Sequence, residues 1–473
     1  MRSSYSKWHA PGKGPRVGDF PCGALAPRVW LTSPVSNAPR EPEAKVPFPR
    51  VFWVAIGLEV IERMAFYGVY INLSVYLGQT VGLSDKEIGG LLGVFALTRS
   101  WVPVVTGALS DKLGFRRSLV LSFALYALAY LALFGVASFR EQGALVRVLA
   151  WGAVLSIAVA GAFLKPVIPG TVRRYAPPER RTQGFSIFYA SVNAGSVVGK
   201  VLTKIVRVLL TLRASIVNSV IASLVGLGIA LAAYFEPSAE PQPSSGEKSN
   251  ENGGLERRDA GFAASLAEVF TEPRLIGFLV VVSGYYLLIE QFYQTFPVYI
   301  VRMFGEKAPR EEISLINPFS IALFQVVVAR FTKKLRPLPA MAFGIFVGAV
   351  SMALMGLVPT LWGACGSFFV FAIAEMIYSP RYYEYVSSFA PKGREGLYMG
   401  LALVPSGLGG LVGGVLSGRL IAAYLPKGGG VLRPGTVWGT YAAIGVVCAL
   451  LLWGFAALFP PKVEATEPSA KEP

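Results

Sequence analysis

Long apolar stretches recur along almost the whole chain, and they constrain its fold more than any other feature. A helix that crosses a lipid bilayer needs about 20 mostly apolar residues. The sequence contains twelve such stretches, at 51–77, 86–109, 117–137, 145–170, 183–206, 212–235, 274–300, 312–331, 338–358, 361–385, 396–424 and 436–460. Only 15% of the residues are charged, against about 25% in a soluble domain. The sequence therefore predicts an all-α integral membrane protein.

The apolar stretches fall into two groups of six, separated by one long polar segment. We expect a disordered basic tail (1–46), a six-helix bundle (47–235), a cytoplasmic linker with a short amphipathic helix (236–273), a second six-helix bundle (274–460) and a C-terminal tail (461–473). An organelle transit peptide is an alternative for the first tail, where Asp19 is the only acid before Glu41. Two equal hydrophobic halves are typical of secondary transporters built from repeats.

The net charge of +16 predicts a membrane orientation rather than nucleic-acid binding. Basic residues of multispanning proteins flank the cytoplasmic ends of the helices. With the N-terminus inside, the inner loops and tails hold more than twice as many Lys and Arg as the outer loops. We therefore expect both termini in the cytoplasm and a location in the plasma (cell inner) membrane.

Cysteine and histidine usage restricts the chemistry. Cys22, Cys365 and Cys448 have no disulfide or metal-ligand spacing, and the single histidine, His9, lies in the N-terminal tail. We expect no metal and no cofactor other than a coupling ion. A membrane-embedded transferase is the alternative of another class. It is disfavoured because neither a nucleophile–base set nor a soluble donor-binding domain is present.

The first apolar stretch contains charges that a bilayer does not tolerate unpaired. An Asp, Lys or Arg at the bilayer centre costs about 2.5–3.5 kcal/mol. Glu59, Glu62 and Arg63 share one helix face, because their spacing is i, i+3 and i+4. Tyr67 continues that face by one turn. We expect the face to line a polar cavity; a chance cluster at a helix end is disfavoured by the long apolar runs on both sides.

Further intramembrane charges differ between the halves. The first half offers Arg99, Lys165 and Lys200, and the second offers Glu290 and Glu375. The acids of the second half lack basic partners of comparable depth there, so we expect them to be protonated or neutralised across the cavity. Because no histidine lies in the membrane stretches, carboxylates must carry any coupled proton. For Arg99, a structural ion pair and a ligand role stay open.

The segment between the second and third stretches resembles the loop signature of the major facilitator superfamily. It reads Gly107-Ala-Leu-Ser-Asp111-Lys-Leu-Gly114-Phe-Arg116-Arg117. Glycines permit a tight turn and close helix approach. We expect Asp111 to pair with a cation or to cap a helix end, forming a latch that opens and closes during transport. An ordinary basic cytoplasmic loop is the alternative.

Two longer motifs resemble those of the proton-dependent oligopeptide transporter family of that superfamily. Residues 59–68, EVIERMAFYG, are similar to its first-span pattern ExxERFxYY, with Met64 and Phe66 as departures. Residues 188–196, FYASVNAGS, are similar to FYxxINxGS, with Val192 for Ile. Shorter matches are Phe163-Leu-Lys165-Pro166, Glu290-Gln291, Ile316-Asn317-Pro318 and Glu375 with Ser379-Pro380. The resemblance runs through nearly all of residues 51–460.

The resemblance implies a major facilitator fold of twelve transmembrane helices in two six-helix bundles. It also implies import of di- and tripeptides driven by protons, with a monomer as the working unit. Proton coupling would involve Glu59, Glu62, Arg63, Lys165 and Glu290. The substrate-binding residues would be Arg63 and Lys165 at the peptide carboxylate, Asn193, Asn317 and Glu375 at its amino end, and Tyr67 on the wall.

One departure bears on the substrate. The family usually carries a second Arg seven residues after the first, and here that position is Tyr70. Lys200 lies seven residues after Asn193, on the same helix face, and is a candidate for the missing anion contact. The alternative is a lysine that snorkels to the outer surface. Another small zwitterionic or anionic solute, or a drug, therefore stays open as the substrate.

Overall fold

The structure, a computed structural model, describes residues 46–236, 273–332, 335–389, 401–428 and 430–458. Almost all of the N-terminal tail, the linker with its expected amphipathic helix, and the C-terminal tail lie outside the described residues. The described residues form fourteen α-helices and three short 3-10 or π segments. The all-α prediction is confirmed.

Seven helices belong to the first half of the chain. They are α1 (Arg50–Tyr70), α2 (Leu73–Tyr76), α3 (Asp85–Leu113), α4 (Phe115–Val136), α5 (Ala144–Tyr175), α6 (Arg181–Leu209) and α7 (Ser215–Ala232). Seven more follow in the second half: α8 (Pro273–Gln294), α9 (Phe296–Phe304), α10 (Arg310–Thr332), α11 (Pro337–Leu357), α12 (Leu361–Ser387), α13 (Val404–Tyr424) and α14 (Pro434–Leu458).

Eleven segments in the described residues are long and apolar enough to cross a membrane. The helix missing from that set is α1, which has 21 residues but carries the charges of Glu59, Glu62 and Arg63. With α1 included, each of the twelve predicted stretches contains one long helix. We number these spans one to twelve in chain order, with α2 and α9 as short continuations of spans one and seven.

Spans one and seven are each interrupted, which the apolar pattern did not predict. Span seven breaks after Gln294, and Pro297 lies in the first turn of α9. Because proline has no N–H, Pro297 cannot donate to the carbonyl of Tyr293 four residues earlier. The Ser74 hydroxyl of α2 donates to that carbonyl instead, at 3.5 Å. The two broken spans therefore support each other.

A glycine-rich face of α13 brings the two halves of the chain together. A Cβ on Gly414 would lie 2.5 Å from the carbonyl oxygen of Gly89 and from the nitrogen of Gly93, both in α3. A Cβ on Gly413 would lie 2.8 Å from the Gln291 amide nitrogen of α8. Only hydrogen fits at such distances, so small residues let these backbones approach closely. These contacts place α13 against α3 of the first half and against α8 of the second.

Candidate functional site

A cavity of about 570 Å³ lies between the two halves of the chain. Its walls come from α1, α3, α5 and α6 on one side and from α8, α10 and α12 on the other. All the residues that the sequence predicts to bind substrate line it: Arg63, Tyr67, Tyr70, Lys165, Asn193, Lys200, Asn317 and Glu375. Glu290 and Arg99 line it as well. The structure thus brings together side chains from widely separated parts of the sequence, while their roles stay predictions.

The charged face of α1 forms one compact ion cluster. Arg63 Nε lies 3.0 Å from Glu59 Oε1 and 2.6 Å from Glu62 Oε2. The Tyr126 hydroxyl of α4 donates to the other oxygen of Glu62 at 2.5 Å. Both carboxylates are buried, so this single guanidinium is engaged by two acids. Sequence reasoning missed Tyr126, because one tyrosine in an apolar span carries no distinguishing pattern.

The second long motif positions this cluster by allowing close packing. A Cβ on Gly195 of α6 would lie 2.6 Å from the Arg63 Cβ and from the Val60 carbonyl oxygen. A Cβ on Gly199 would overlap the carbonyl of Met64. The glycines therefore let α6 lie directly against the face of α1 that carries Arg63. Asn193 of the same motif donates to the Tyr189 carbonyl at 3.1 Å.

Lys165 points toward the same part of the cavity but contacts no acid. Its Nζ donates to the backbone carbonyl of Arg99 at 2.7 Å. No Asp or Glu among the described residues lies within 4.0 Å of it, so Lys165 forms no salt bridge with Glu59 or Glu62 in this conformation. Arg63 holds both of those carboxylates instead.

Glu290 of α8 is held from the opposite half of the chain. Its Oε1 lies 2.6 Å from Nη2 of Arg99 in α3, and its Oε2 accepts a hydrogen bond from the Tyr70 hydroxyl at 2.5 Å. Of the two possibilities for Arg99, the ion pair is observed, and it lies on the cavity wall. Tyr70 stands where the family pattern has an arginine, and its hydroxyl group contacts the Glu290 carboxylate.

Lys200 of α6 is enclosed rather than directed outward. Its residue surface is 1% exposed, and its Nζ donates to the Ser314 carbonyl of α10 at 3.2 Å. The ammonium also lies 5.7 Å from the ring centre of Tyr67 and 5.8 Å from that of Tyr293, within range of cation–π attraction. The snorkelling interpretation is therefore wrong for this conformation. No carboxylate of the described residues lies within 4.0 Å of Lys200.

Glu375 and Asn317 meet on the opposite wall. The Asn317 amide of α10 donates to Oε2 of Glu375 in α12 at 3.1 Å. No Lys or Arg among the described residues lies within 4.0 Å of Glu375. The cavity thus contains cations from the first half and an acid from the second that form no ion pair with any other part of the chain that the structure describes.

The superfamily loop is shorter than the sequence suggested. Helix α3 continues through Gly107 and Asp111 to Leu113, and α4 begins at Phe115. The turn consists of Gly114, whose φ of 85° favours glycine. Asp111 is exposed and makes no ion pair with any described residue, so the expected latch is not formed here. Arg116 and Arg117 are exposed as well.

Glu236 makes the contacts that were expected of Asp111. Its Oε1 accepts a hydrogen bond from the Arg116 backbone N–H at 3.0 Å, which caps the start of α4. Its Oε2 lies 3.8 Å from Nη1 of Arg174 in α5. Sequence reasoning placed Glu236 in the linker and therefore missed it.

Ion pairs close the cavity at one face of the bundle. We call Asn72, Arg207, Arg310 and Glu311 the closing cluster. Arg207 at the end of α6 contacts both oxygens of Glu311 at the start of α10, at 2.7 and 2.8 Å. The Asn72 amide also donates to Glu311, at 3.0 Å, and its oxygen accepts from Arg310 at 2.5 Å. Nearby, Arg302 pairs with Asp85 at 2.5 Å.

The other end of the cavity extends toward the face where α1 begins. Tyr189, near the start of α6, and Tyr383, near the end of α12, line this end. They are 63% and 39% exposed. Because α6 runs in the same direction as α1, the closing cluster at its end lies on the opposite face. In this conformation the cavity is therefore closed at the face where α6 ends and extends toward the face where α1 begins.

The sequence matches the Major Facilitator Superfamily over residues 56–414. The chain therefore belongs to this superfamily and is a multi-pass integral membrane transporter rather than an enzyme. The predicted fold, two bundles of six transmembrane helices, is confirmed.

The relatives that are similar in sequence include proteins named for multidrug resistance. The Multidrug resistance protein MdtH of Klebsiella pneumoniae subsp. pneumoniae is 24% identical over 404 residues, which cover 85% of this chain and 92% of that protein. MdtH of Salmonella typhimurium is 22% identical over 409 residues, 86% of this chain and 94% of the relative.

Among solved structures, a POT family transporter in complex with a thioalcohol-conjugated peptide superposes with a TM-score of 0.68 at 17% identity, covering 87% of this chain and 96% of that one. The nucleoside transporter NupG superposes equally well, with a TM-score of 0.68 at 15% identity over 86% and 99% of the two chains. At such identities these likenesses show the fold alone.

Proposed function

We propose that the protein is a proton-coupled symporter that imports di- and tripeptides by alternating access. The observation that carries the proposal is the set of charges in the central cavity that have no opposite charge within 4.0 Å among the described residues. Lys165 and Lys200 lie on the wall from the first bundle, and Glu375 lies on the wall from the second. A zwitterion that lies across the cavity supplies a carboxylate to the first wall and an ammonium group to the second.

Peptides fit the size and the chemistry of this cavity. Its volume of about 570 Å³ falls within the range of about 300–1,000 Å³ that is usual for small-molecule sites. Charge-assisted hydrogen bonds to the two termini do not depend on the side chains between them. One pocket can therefore accept peptides of different sequence, with Asn193 and Asn317 adding polar contacts and Tyr67 an aromatic wall.

Protons are the coupling ion in this proposal, and no other cofactor is required. Glu59, Glu62 and Glu290 are buried acids that protonation would discharge. An empty carrier with charged, unneutralised groups resists reorientation, because those groups must pass through a less polar environment. Protonation together with substrate binding removes that penalty and allows the bundles to move.

Alternating access then requires the closing cluster to separate. With both termini in the cytoplasm, as the basic residues indicate, the closing cluster lies on the outer face and the cavity extends toward the cytoplasm. This geometry corresponds to the inward-facing stage of an import cycle in the plasma membrane. One chain contributes both bundles, so a monomer suffices.

A second candidate is a proton-linked carrier of a drug or another small zwitterionic or anionic solute. The relatives named multidrug resistance protein support it, as does the aromatic lining of the cavity by Tyr286, Tyr293, Phe368 and Phe371. Aromatic walls bind apolar ring systems without directional hydrogen bonds. Uptake measurements must therefore include both classes of solute.

The decisive experiment is uptake into proteoliposomes under an imposed pH gradient, inside alkaline. Labelled dipeptides are compared with amino acids, organic acids and cationic drugs, using wild type, Glu62→Gln and Glu290→Gln. We expect wild type to accumulate dipeptides, both variants to lose accumulation, and Glu62→Gln to retain exchange without a gradient. Glu87→Gln is the matched control, because Glu87 pairs with Arg147 outside the cavity. Dipeptide accumulation by both variants at the wild-type level would contradict the coupling mechanism.

A further inference from the structure

Arg99 is the intramembrane charge that the motifs leave without a role. It lies within α3, which belongs to neither of the two long motifs, and its side chain reaches Glu290 in the other half of the chain. The carboxylate of Glu290 is bound at both oxygens, by Arg99 Nη2 at 2.6 Å and by the Tyr70 hydroxyl at 2.5 Å. This contact joins the two bundles directly at the cavity wall.

The surroundings of Glu290 leave Arg99 as its close cationic partner. Gln294 on the same helix is 3.5 Å from Oε2, and a Cβ on Gly410 of α13 would lie 3.5 Å from the Glu290 Cγ. Lys165 of α5 lines the same cavity, but its hydrogen bond goes to the Arg99 carbonyl. Tyr286, Tyr293 and Glu375 are further titratable groups of the second half that line the cavity.

Arg99 has the place and the spare hydrogen-bonding capacity to bind a second anion. A guanidinium has five N–H donors, and the described contacts of Arg99 to acids use one terminal nitrogen. Its Nε is buried without a hydrogen-bond partner. Because Arg99 lines the cavity, a substrate carboxylate can reach it. While Glu290 is charged, however, the approaching carboxylate meets another anion at the same guanidinium.

Tyr70 explains why this cation comes from α3. Tyr70 occupies the position at which the peptide-transporter pattern carries its second arginine. The guanidinium carbon of Arg99 lies 5.5 Å from the centre of the Tyr70 ring, so it lies beside the side chain that replaced that arginine. The positive charge is thus retained near Glu290, on a different helix.

We propose that Arg99 is the residue that couples proton binding to substrate binding, by exchanging the Glu290 carboxylate for the carboxylate of the substrate. A hydronium ion in the water of the cavity transfers its proton to a Glu290 oxygen: one of its O–H bonds breaks, an O–H bond forms on Glu290, and a neutral water molecule remains, while Arg99 keeps its own charge. The ion pair between the bundles is lost. The guanidinium then binds the substrate carboxylate, so one proton accompanies each substrate bound. This inference rests on the proposed peptide symport.

The first test asks whether Arg99 contacts the substrate carboxylate. Competition by Ala-Ala and by its C-terminal amide is measured in exchange assays without a pH gradient, for wild type and for Arg99→Gln. Losing a charge-assisted hydrogen bond should weaken the binding of Ala-Ala about 10- to 100-fold and leave the binding of the amide unchanged. Equal affinity of the variant and wild type for Ala-Ala overturns the inference. Arg147→Gln is the control, since Arg147 pairs with Glu87 within one bundle.

The second test moves the guanidinium back to α1. Arg99→Gln should lose gradient-driven accumulation, and the double variant Tyr70→Arg/Arg99→Gln should regain part of it together with the wild-type pH profile. A purely structural role of Arg99 predicts no such recovery. Arg99→Lys, which keeps the charge, replaces Arg99→Gln if that variant does not fold. Wild type that transports no peptide refutes the proposed function, whereas unchanged coupling in the Arg99 variants refutes only this inference.

Discussion

At the scale of single residues, the charges in the cavity divide into satisfied and unsatisfied groups. Arg63 is held by two carboxylates and Arg99 by one, whereas Lys165 and Lys200 bind only backbone carbonyls. A buried ammonium without an anion is costly to maintain. A substrate carboxylate would relieve that cost. Of the two residues that the resemblance implies at the carboxylate, Lys165 is therefore better placed than Arg63, and Lys200 is a second candidate.

Replacing Lys200 tests this assignment. We expect Lys200→Gln to raise the KM for dipeptides about 10- to 100-fold, because a charge-assisted hydrogen bond contributes about 1.5–3 kcal/mol. Glutamine can still donate to the Ser314 carbonyl, so the packing of α6 against α10 should persist. Dipeptide uptake as a function of concentration in proteoliposomes measures the change.

Lys204→Gln is the matched control for Lys200. Lys204 lies one turn further along α6 and is 41% exposed at its side chain, where it pairs with Glu312. We expect this variant to transport like wild type. A Lys200→Gln protein with the wild-type KM would refute the anion-binding role of Lys200.

At the scale of secondary-structure elements, the sequence predicted the features that depend on a local pattern of residues, such as the membrane spans. The apolar stretches gave the spans, because about 20 apolar residues in a row have few other stable structures. The apolar run of span seven continues through Pro297, so the hydrophobic pattern alone did not predict that this span is interrupted. The contact between Arg99 and Glu290 joins residues 191 positions apart, and no local pattern encodes such a pair. The same holds for Tyr126 at Glu62 and for Glu236 at the start of α4.

Glycines in α6 provide a test of how the elements hold the site. A Cβ on Gly195 would lie 2.6 Å from the Val60 carbonyl oxygen and from the Arg63 Cβ, so Gly195→Ala must push α6 away from α1. Overpacking of this kind costs about 1–3 kcal/mol. We expect a lower temperature of thermal inactivation in detergent, together with weaker peptide transport, because the Arg63 cluster moves.

Gly228→Ala in α7 is the control for this substitution. No atom lies within 4 Å of a Cβ built on Gly228, and alanine is favoured over glycine in a helix by up to about 1 kcal/mol. Its inactivation temperature should match or exceed that of wild type. If Gly195→Ala were equally stable and active, close approach of α6 and α1 would not be what the motif glycine provides.

At the scale of the whole molecule, the two faces of the bundle differ in the contacts that join the two halves of the chain. On one face, the glycines of α13 bring α3 against the second half, and the closing cluster joins α6 to α10. On the other, exposed tyrosines line the end of the cavity. Removing one partner of a buried ion pair destabilises the structure that contains it by about 3–5 kcal/mol, because the other charge is left unpaired. The closing cluster therefore determines how often the closed face opens.

Breaking the closing cluster should shift the transporter toward the conformation that opens this face. In Glu311→Gln, Arg207 loses a carboxylate that it contacts at 2.7 and 2.8 Å, so closure is less favourable. Ser74 lies on this side and is 1% exposed. In a background with the native cysteines replaced, a cysteine at position 74 should react with a membrane-impermeant maleimide several-fold faster when Glu311→Gln is present.

The charge exchange Arg207→Glu/Glu311→Arg should restore slow labelling, since it rebuilds an ion pair between the same helices. Equal labelling in all three backgrounds would show that glycine packing alone, and not the ion pairs, keeps this face closed.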